Sequence, residues 1–242
     1  MTAEERIVAF YGQENFRRRR NTTVLLVGIG AIGSKVGAAL AKGGYDLVAV
    51  DYDAVEPPNL PFQEYEAADV GRPKAEAFAE RAAALSPFPI KVTPIPLSFS
   101  EAVEVGAIPE CQLVVAVPDN DLARLEVASY FLEKSPVVVA GISEDGHHGY
   151  VFVQEVGQAC LKCAFPTIRP RMGVSRGCGA YTAEMAHILT GYVLFAVDSL
   201  VVDHPLRRRS WNLCKVYLNS SPDVRTRIQK RENCELCSRE KG

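Results

Sequence analysis

Short, unbroken apolar runs alternate with amphipathic segments along the first two thirds of the chain. TVLLVGIG (23–30) is apolar until it ends in glycine, the mark of a buried strand. Residues 31–42 come next, with small and apolar side chains at helical spacing, and stop at Gly43–Gly44, so a helix is expected there. YDLVAVDYD (45–53) predicts a second strand, finishing on acids. RPKAEAFAERAAAL (72–85) is Ala-rich with Pro73 near its start, which predicts a helix opened by proline, where the missing N–H costs nothing. The prolines of IKVTPIPL (90–97) cannot donate to a ladder, so that strand belongs at a sheet edge. CQLVVAVPDN (111–120) predicts another buried strand, followed by a helix from about 121 to 134. PVVVAG (136–141) and GYVFVQEV (149–156) then read as strands.

This β-α-β alternation predicts an α/β fold with a Rossmann-like, doubly wound mixed sheet, mostly parallel, with right-handed crossovers. Beyond Cys160 the pattern changes. A loop rich in Pro, Arg and Gly covers 166–179, a long helix is expected over about 182–202, and the strand WNLCKVYL (211–218) precedes a basic tail. No internal repeat or low-complexity segment is present.

Composition narrows the function classes. The 242 residues are 48% hydrophobic and 23% charged, ordinary for a globular chain large enough for one sizeable core. A formal net charge of −2 gives no reason to expect nucleic acid or an acidic membrane as partner. The sequence shows neither an apolar run of transmembrane length nor a secretory signal in residues 1–20, so a cytoplasmic location is expected. In a reducing compartment the seven cysteines are thiols, metal ligands or nucleophiles rather than disulfides.

The first candidate site is Gly28-x-Gly30-x-x-Gly33, set between the first strand and its helix. Glycines there let the turn close and let backbone N–H groups approach a phosphate at the helix N-terminus. Asp51, at the end of the second strand, is placed to hydrogen-bond a ribose hydroxyl. The motif predicts a nucleotide without saying which one; taken alone it points to NAD.

The residues downstream of the glycines are more specific. Asp51 and Asp53 precede Asn59-Leu60-Pro61-Phe62-Gln63, then Gly71-Arg72-Pro73-Lys74, then Asp119-Asn120. That order, from about Gly12 to Cys237, resembles the ThiF/MoeB/HesA family of adenylyltransferases, which activate ubiquitin-like and sulfur-carrier proteins. The resemblance implies ATP and magnesium as cofactors, with Lys74 contacting phosphate and Asp119 associated with magnesium, a hard cation that takes oxygen ligands. Bare of the family, Lys74 reads as a surface residue paired with Glu76 or Glu80, Asp119 as an N-cap, and Asn59 and Gln63 as turn formers.

The same resemblance bears on CLKC (160–163) and CELC (234–237). Family members often carry two such pairs binding one structural zinc, which implies Cys160, Cys163, Cys234 and Cys237 as ligands. Four thiolates make the closed tetrahedral site that structural zinc uses. Buried free thiols or a redox motif are the alternatives. The whole chain, 1–242, then reads as one domain: an N-terminal arm to about residue 22, a nucleotide-binding part over 23–155, and a crossover loop, long helix and zinc-tethered tail over 156–242.

The implied activity is ATP-dependent adenylation of the C-terminal glycine of a small β-grasp carrier with a Gly-Gly tail, by a homodimer. Cys178, in SRGCGAYT ahead of the long helix, resembles the family's cysteine that in some members forms a thioester or persulfide with the carrier. Stopping at the adenylate is the alternative. Two departures stand out. Phe62 occupies the place of an expected arginine, and the arm ahead of Gly12 is short, with Arg6 or Arg17–Arg20 as candidates to compensate. The run Arg17–Arg20 otherwise reads as a solvated helix end, and Arg207–Arg209 as a solvated loop. Cys111 and Cys214 read as core residues, and His147 and His148 as turn residues without a metal role. Three other functions stay open: a nucleotide- and carrier-binding scaffold, an NAD-dependent oxidoreductase, and an adenylating enzyme acting on a small molecule, peptide or RNA-bound carboxylate.

Overall fold

A computed structural model describes residues 1–168, 183–219 and 221–238. Among them one sheet of eight strands runs in the order β3-β2-β1-β4-β5-β6-β7-β8. The strands are β1 (Thr23–Val27), β2 (Asp46–Val50), β3 (Val92–Ile95), β4 (Leu113–Ala116), β5 (Val137–Ile142), β6 (His148–Gln154), β7 (Leu213–Tyr217) and β8 (Val224–Thr226). The five from β3 to β5 pair in parallel, and β6, β7 and β8 pair antiparallel. The sheet is therefore mixed, with the proline-bearing β3 at its edge.

Side chains explain why the central strands are apolar without interruption. In β1, Val24 and Leu26 join one core cluster while Leu25 and Val27 join another, and β2 and β4 divide the same way. Successive strand residues point to opposite faces, so a sheet covered on both faces needs no polar alternation. The first face carries α3 (Ala31–Lys42), α4 (Lys74–Leu85) and α8 (Ala183–Val201), through Val36, Leu40, Phe78, Met185 and Leu189. The second carries α5 (Phe99–Glu104), α6 (Asp121–Tyr130) and the single turn α7 (Leu161–Ala164), through Phe99, Val127 and Leu161. Each fully buried Leu or Phe contributes roughly 1.5–3 kcal/mol.

Two helices, α1 (Ala3–Tyr11) and α2 (Gln13–Arg20), precede the sheet. A Thr2–Glu5 capping box opens α1, and Gly12, at φ 82°, turns the chain into α2. The reading of Arg17–Arg20 as a solvated helix end needs correction. Arg17 and Arg18 are exposed and pair with Glu14, but Arg19 is buried and meets Asp198 of α8 at 2.6 Å. Asp198 also accepts from Tyr11 Oη at 2.8 Å, Tyr45 Oη at 3.0 Å and Arg207 Nε at 3.2 Å. The solvated-loop reading of Arg207–Arg209 fails for the same reason, since Arg209, its side chain 5% exposed, pairs with Glu155 at 2.7 Å.

The expectation of no transmembrane-length apolar run is also corrected. By length and composition α8 could cross a membrane, with a mean hydropathy of 1.3. It is instead a core helix whose Met185, Leu189, Val193 and Val197 are fully buried against the sheet.

Because β2 and β4 flank β1 on opposite sides, the chain reverses its winding direction at β1. In doubly wound sheets the crevice outside the carboxyl ends of such strands is where ligands bind. We call that edge the head of the sheet and the opposite edge its foot.

Candidate functional site

The glycine turn sits at the head between β1 and α3. Gly28 has φ +88°, and a Cβ there would stand 2.7 Å from the backbone of Pro118 just past β4, so only glycine fits. A Cβ on Gly33 would lie 1.9 Å from the Gly28 carbonyl oxygen, which is how α3 packs so closely on β1. Gly30 is the N-cap of α3, makes no side-chain cap and faces open space. The first N–H groups of α3 thus lack a side-chain acceptor, the arrangement that receives anions.

Asp51 is 8% exposed and braces this turn, accepting from Ile29 N at 2.6 Å and Asp53 N at 2.9 Å. Burial raises its pKa; Lys74 and the two backbone N–H groups pull the other way. Lys74, itself buried, opens α4 and reaches Asp53 at 2.8 Å. Its partner is therefore neither Glu76 nor Glu80. Burial first, then the charges of Asp53, Asp119 and Asp51, raise the pKa of the Tyr52 phenol, which places Asp119 in the same electrostatic neighbourhood.

The N-cap expected at Asp119 is Asn120. Its Oδ1 accepts from Ala123 N at 2.8 Å while its Nδ2 donates to Asp119 Oδ1 at 3.1 Å, and Asp119 stays exposed just past β4 at the head. Asn59 acts as the turn former that its residue type suggested, taking Glu56 N at 2.9 Å. Gln63 differs: its Oε1 is buried with no hydrogen-bond partner, an acceptor in need of a donor. These observations fit a bound nucleotide: an uncapped helix start, an unfilled space beside Gly30, an orphaned acceptor, one lysine and several carboxylates.

Some supporting residues were not legible in the motif. Tyr65 Oη donates to the Ile29 carbonyl at 2.9 Å, tying the segment after Gln63 to the glycine turn. Burial is the main reason its pKa is raised. Ser34 Oγ accepts from Glu64 N at 3.1 Å, and Lys35 pairs with Glu64 at 2.8 Å. Arg124, buried on α6, reaches the Ala140 carbonyl and Asp121, and Gly141 leaves space for its guanidinium. A tyrosine in an irregular loop and one lysine within a helix carry no sequence signal. Cys178 lies outside the described residues.

The four paired cysteines form a second centre at the foot. Leu161 N donates to the buried Oε1 of Gln154 at the end of β6, which holds Cys160 there. The Sγ–Sγ distances are 3.8 Å for Cys160–Cys163, 3.4 Å for Cys160–Cys234 and 3.5 Å for Cys163–Cys237, and all four sulfurs lie within 4.8 Å of one another. Tetrahedral zinc with bonds near 2.3 Å separates its sulfurs by about 3.8 Å, so the donor set and spacing fit that ion. Burial raises the pKa of Cys160. Burial acts the same way on Cys234, but the N–H groups of Cys237 and Leu236 outweigh it and lower that pKa to about 6. Cys111 and Cys214 are buried core residues as expected. A separate cavity of about 520 Å³, between Arg17, Thr22, Gln112, Pro136 and Leu200, lies at the foot and away from both the glycine turn and the acids.

Known proteins align with this arrangement. Molybdopterin-synthase adenylyltransferase of Escherichia coli K12 is 33% identical over 158 residues, covering 64% of this chain and 61% of that protein. Sulfur carrier protein adenylyltransferase of Thermus thermophilus is 33% identical over 168 residues, covering 66% and 61%. The matches thus span about three fifths of these relatives. The structure of E. coli MccB with MccA-N7isoASN superposes with a TM-score of 0.78 at 18% identity, covering 93% of this chain and 69% of that one, which shows a shared fold. The ThiF family profile extends over residues 3–236, so nearly every element of the fold falls inside it and the chain belongs to the ThiF family.

Proposed function

We propose that this protein adenylates the C-terminal carboxylate of a small ubiquitin-like or sulfur-carrier protein with ATP. Family membership supports the class of reaction and favours ATP over NAD. The observation that carries the reading is the uncapped start of α3 beside Lys74, Asp53 and Asp119 at the strand switch point. A carboxylate oxygen of the carrier attacks the α-phosphorus, the bond to the β-phosphate oxygen breaks, and pyrophosphate leaves. The product is a mixed anhydride.

That displacement needs positioning and charge neutralisation more than a protein nucleophile. In this reading the glycine turn and α3 hold the phosphates, Asp51 the ribose, and Lys74 the α-phosphate after exchanging its contact with Asp53. Asp119, steadied by Asn120, would hold magnesium, which supplies a Lewis acid at the phosphate oxygens. A Gly-Gly tail suits a narrow approach because it has no side chains to exclude. Cys160, Cys163, Cys234 and Cys237 would hold zinc, whose role is to fasten the tail to the sheet. Cys178 is the proposed acceptor in a second step, its thiolate taking the acyl group from the adenylate as a thioester while AMP leaves, or alternatively taking sulfane sulfur from a donor persulfide that departs as a thiol; two chains form the working unit. We read residues 1–242 as one ThiF-type domain.

ATP–pyrophosphate exchange tests the reading. Exchange that depends on a carrier ending in Gly-Gly supports it, and Lys74→Ala is expected to lower the rate at least a hundredfold. A specific observation, Phe62 where the family has arginine, favours a second reading as a scaffold. ATP binding without exchange across a panel of carriers would select the scaffold.

A further inference from the structure

Among the described residues, the basic side chains around the glycine turn are differently committed. Lys74 is held by Asp53. Arg72 is engaged with Asp69 and with Glu80 at 2.6 Å. Arg81 is engaged with Glu66 at 2.9 Å, with Asp69 and with the Glu64 carbonyl. Lys35 differs from these in origin, since it rises from α3, while its partner is about as exposed as the Asp53 that holds Lys74. It stands in the second turn of α3, its side chain is 11% exposed, and its carboxylate partner Glu64 is 43% exposed.

Side chains of an α-helix tilt toward its N-terminus, so the Lys35 ammonium is carried back toward the end of α3 that receives anions. The segment it meets is the one just past Phe62 and the orphaned Gln63 Oε1. Ser34 and Lys35 together stitch Glu64 to the helix, through its backbone N–H and its carboxylate. A partly exposed carboxylate is a replaceable partner, because water can take its place at little cost.

Building on the adenylation reading, we propose that Lys35 is the cation for the outer phosphates of ATP. It leaves Glu64 for the β- and γ-phosphates on binding and supplies from α3 the charge that Phe62 does not supply from the loop. No covalent change is involved; one carboxylate contact is exchanged for a phosphate contact. Lys35 is then a specificity residue: it separates triphosphate from monophosphate, whereas the glycine turn, Asp51 and Lys74 engage both.

Titration calorimetry with ATP and AMP, each with magnesium, tests this directly. Lys35→Ala is expected to weaken ATP binding about tenfold, the scale of one charge-assisted contact, and to leave AMP binding unchanged. Lys35→Arg should retain ATP affinity. Phe62→Arg added to Lys35→Ala should restore it, a result a merely structural lysine would not produce. Glu64→Gln should tighten ATP binding only while Lys35 is present. Equal weakening for ATP and AMP, or no change for ATP, overturns the proposal, with thermal unfolding of each variant separating misfolding from lost contacts. If the unmodified protein binds ATP yet exchanges no pyrophosphate with any carrier, the adenylation reading fails while the Lys35 comparison still reads. If it binds neither nucleotide, both fall.

Discussion

Gly33 shows how little freedom single residues have at the head of the sheet. Alanine would ordinarily improve a helix by about 1 kcal/mol over glycine. Here its Cβ would sit 1.9 Å from a carbonyl oxygen of the turn and 3.2 Å from Val117 Cγ2. Overpacking of that kind costs typically about 1–3 kcal/mol, so Gly33→Ala is expected to lower unfolding stability in denaturant and to abolish nucleotide binding. Gly30→Ala, facing open space, is the control and should stay within about 0.5 kcal/mol of the parent. The glycine spacing made the turn legible in the sequence because glycine is required there for a geometric reason. Asn120 was harder to place. Asp and Asn cap helices equally well, so only the structure shows that Asn120 caps α6 and orients Asp119.

At the scale of elements, α3 begins and ends where its small-residue pattern and Gly43 predicted. The N-terminal arm was less legible. QENFRRRR carries almost no apolar face, and nothing local distinguishes Arg19 from its three neighbours. Its burial is decided by Asp198, far along the chain, which gathers Arg19, Arg207, Tyr11 and Tyr45. Asp198→Asn would leave Arg19 buried without a counter-charge. A loss of about 3–5 kcal/mol is expected, measured by urea unfolding, while exposed Arg17→Ala should change stability by no more than about 0.5 kcal/mol. The strand β8 was missed for a related reason: all three of its residues are exposed and show no alternation. The expected helix over 121–134 ends at Tyr130, since Leu132 N turns to the Ser129 carbonyl three residues back instead of continuing the i−4 ladder.

For the whole molecule, the apolar runs predicted the doubly wound part but not the direction of the last three strands. Strand direction is set by tertiary pairing, and GYVFVQEV is compatible with either. The reversal at β6 carries Cys160 to the foot, where Cys163, Cys234 and Cys237 meet it. Metal analysis is expected to find one zinc per chain. Chelation or Cys163→Ser should lower the melting temperature by on the order of 10 °C and expose residues near Ile228 to protease. A full complement of four titratable thiols with no metal and an unchanged melting point would refute this.

The distance between those sulfurs and the glycine turn has a further meaning. They occupy opposite edges of the same sheet, so the ion would serve as a rivet, never as a reagent. Metal supply would then govern how long each copy persists, whereas its turnover while intact would be insensitive to it. A cell short of the ion would hold fewer of these molecules, each working at full speed.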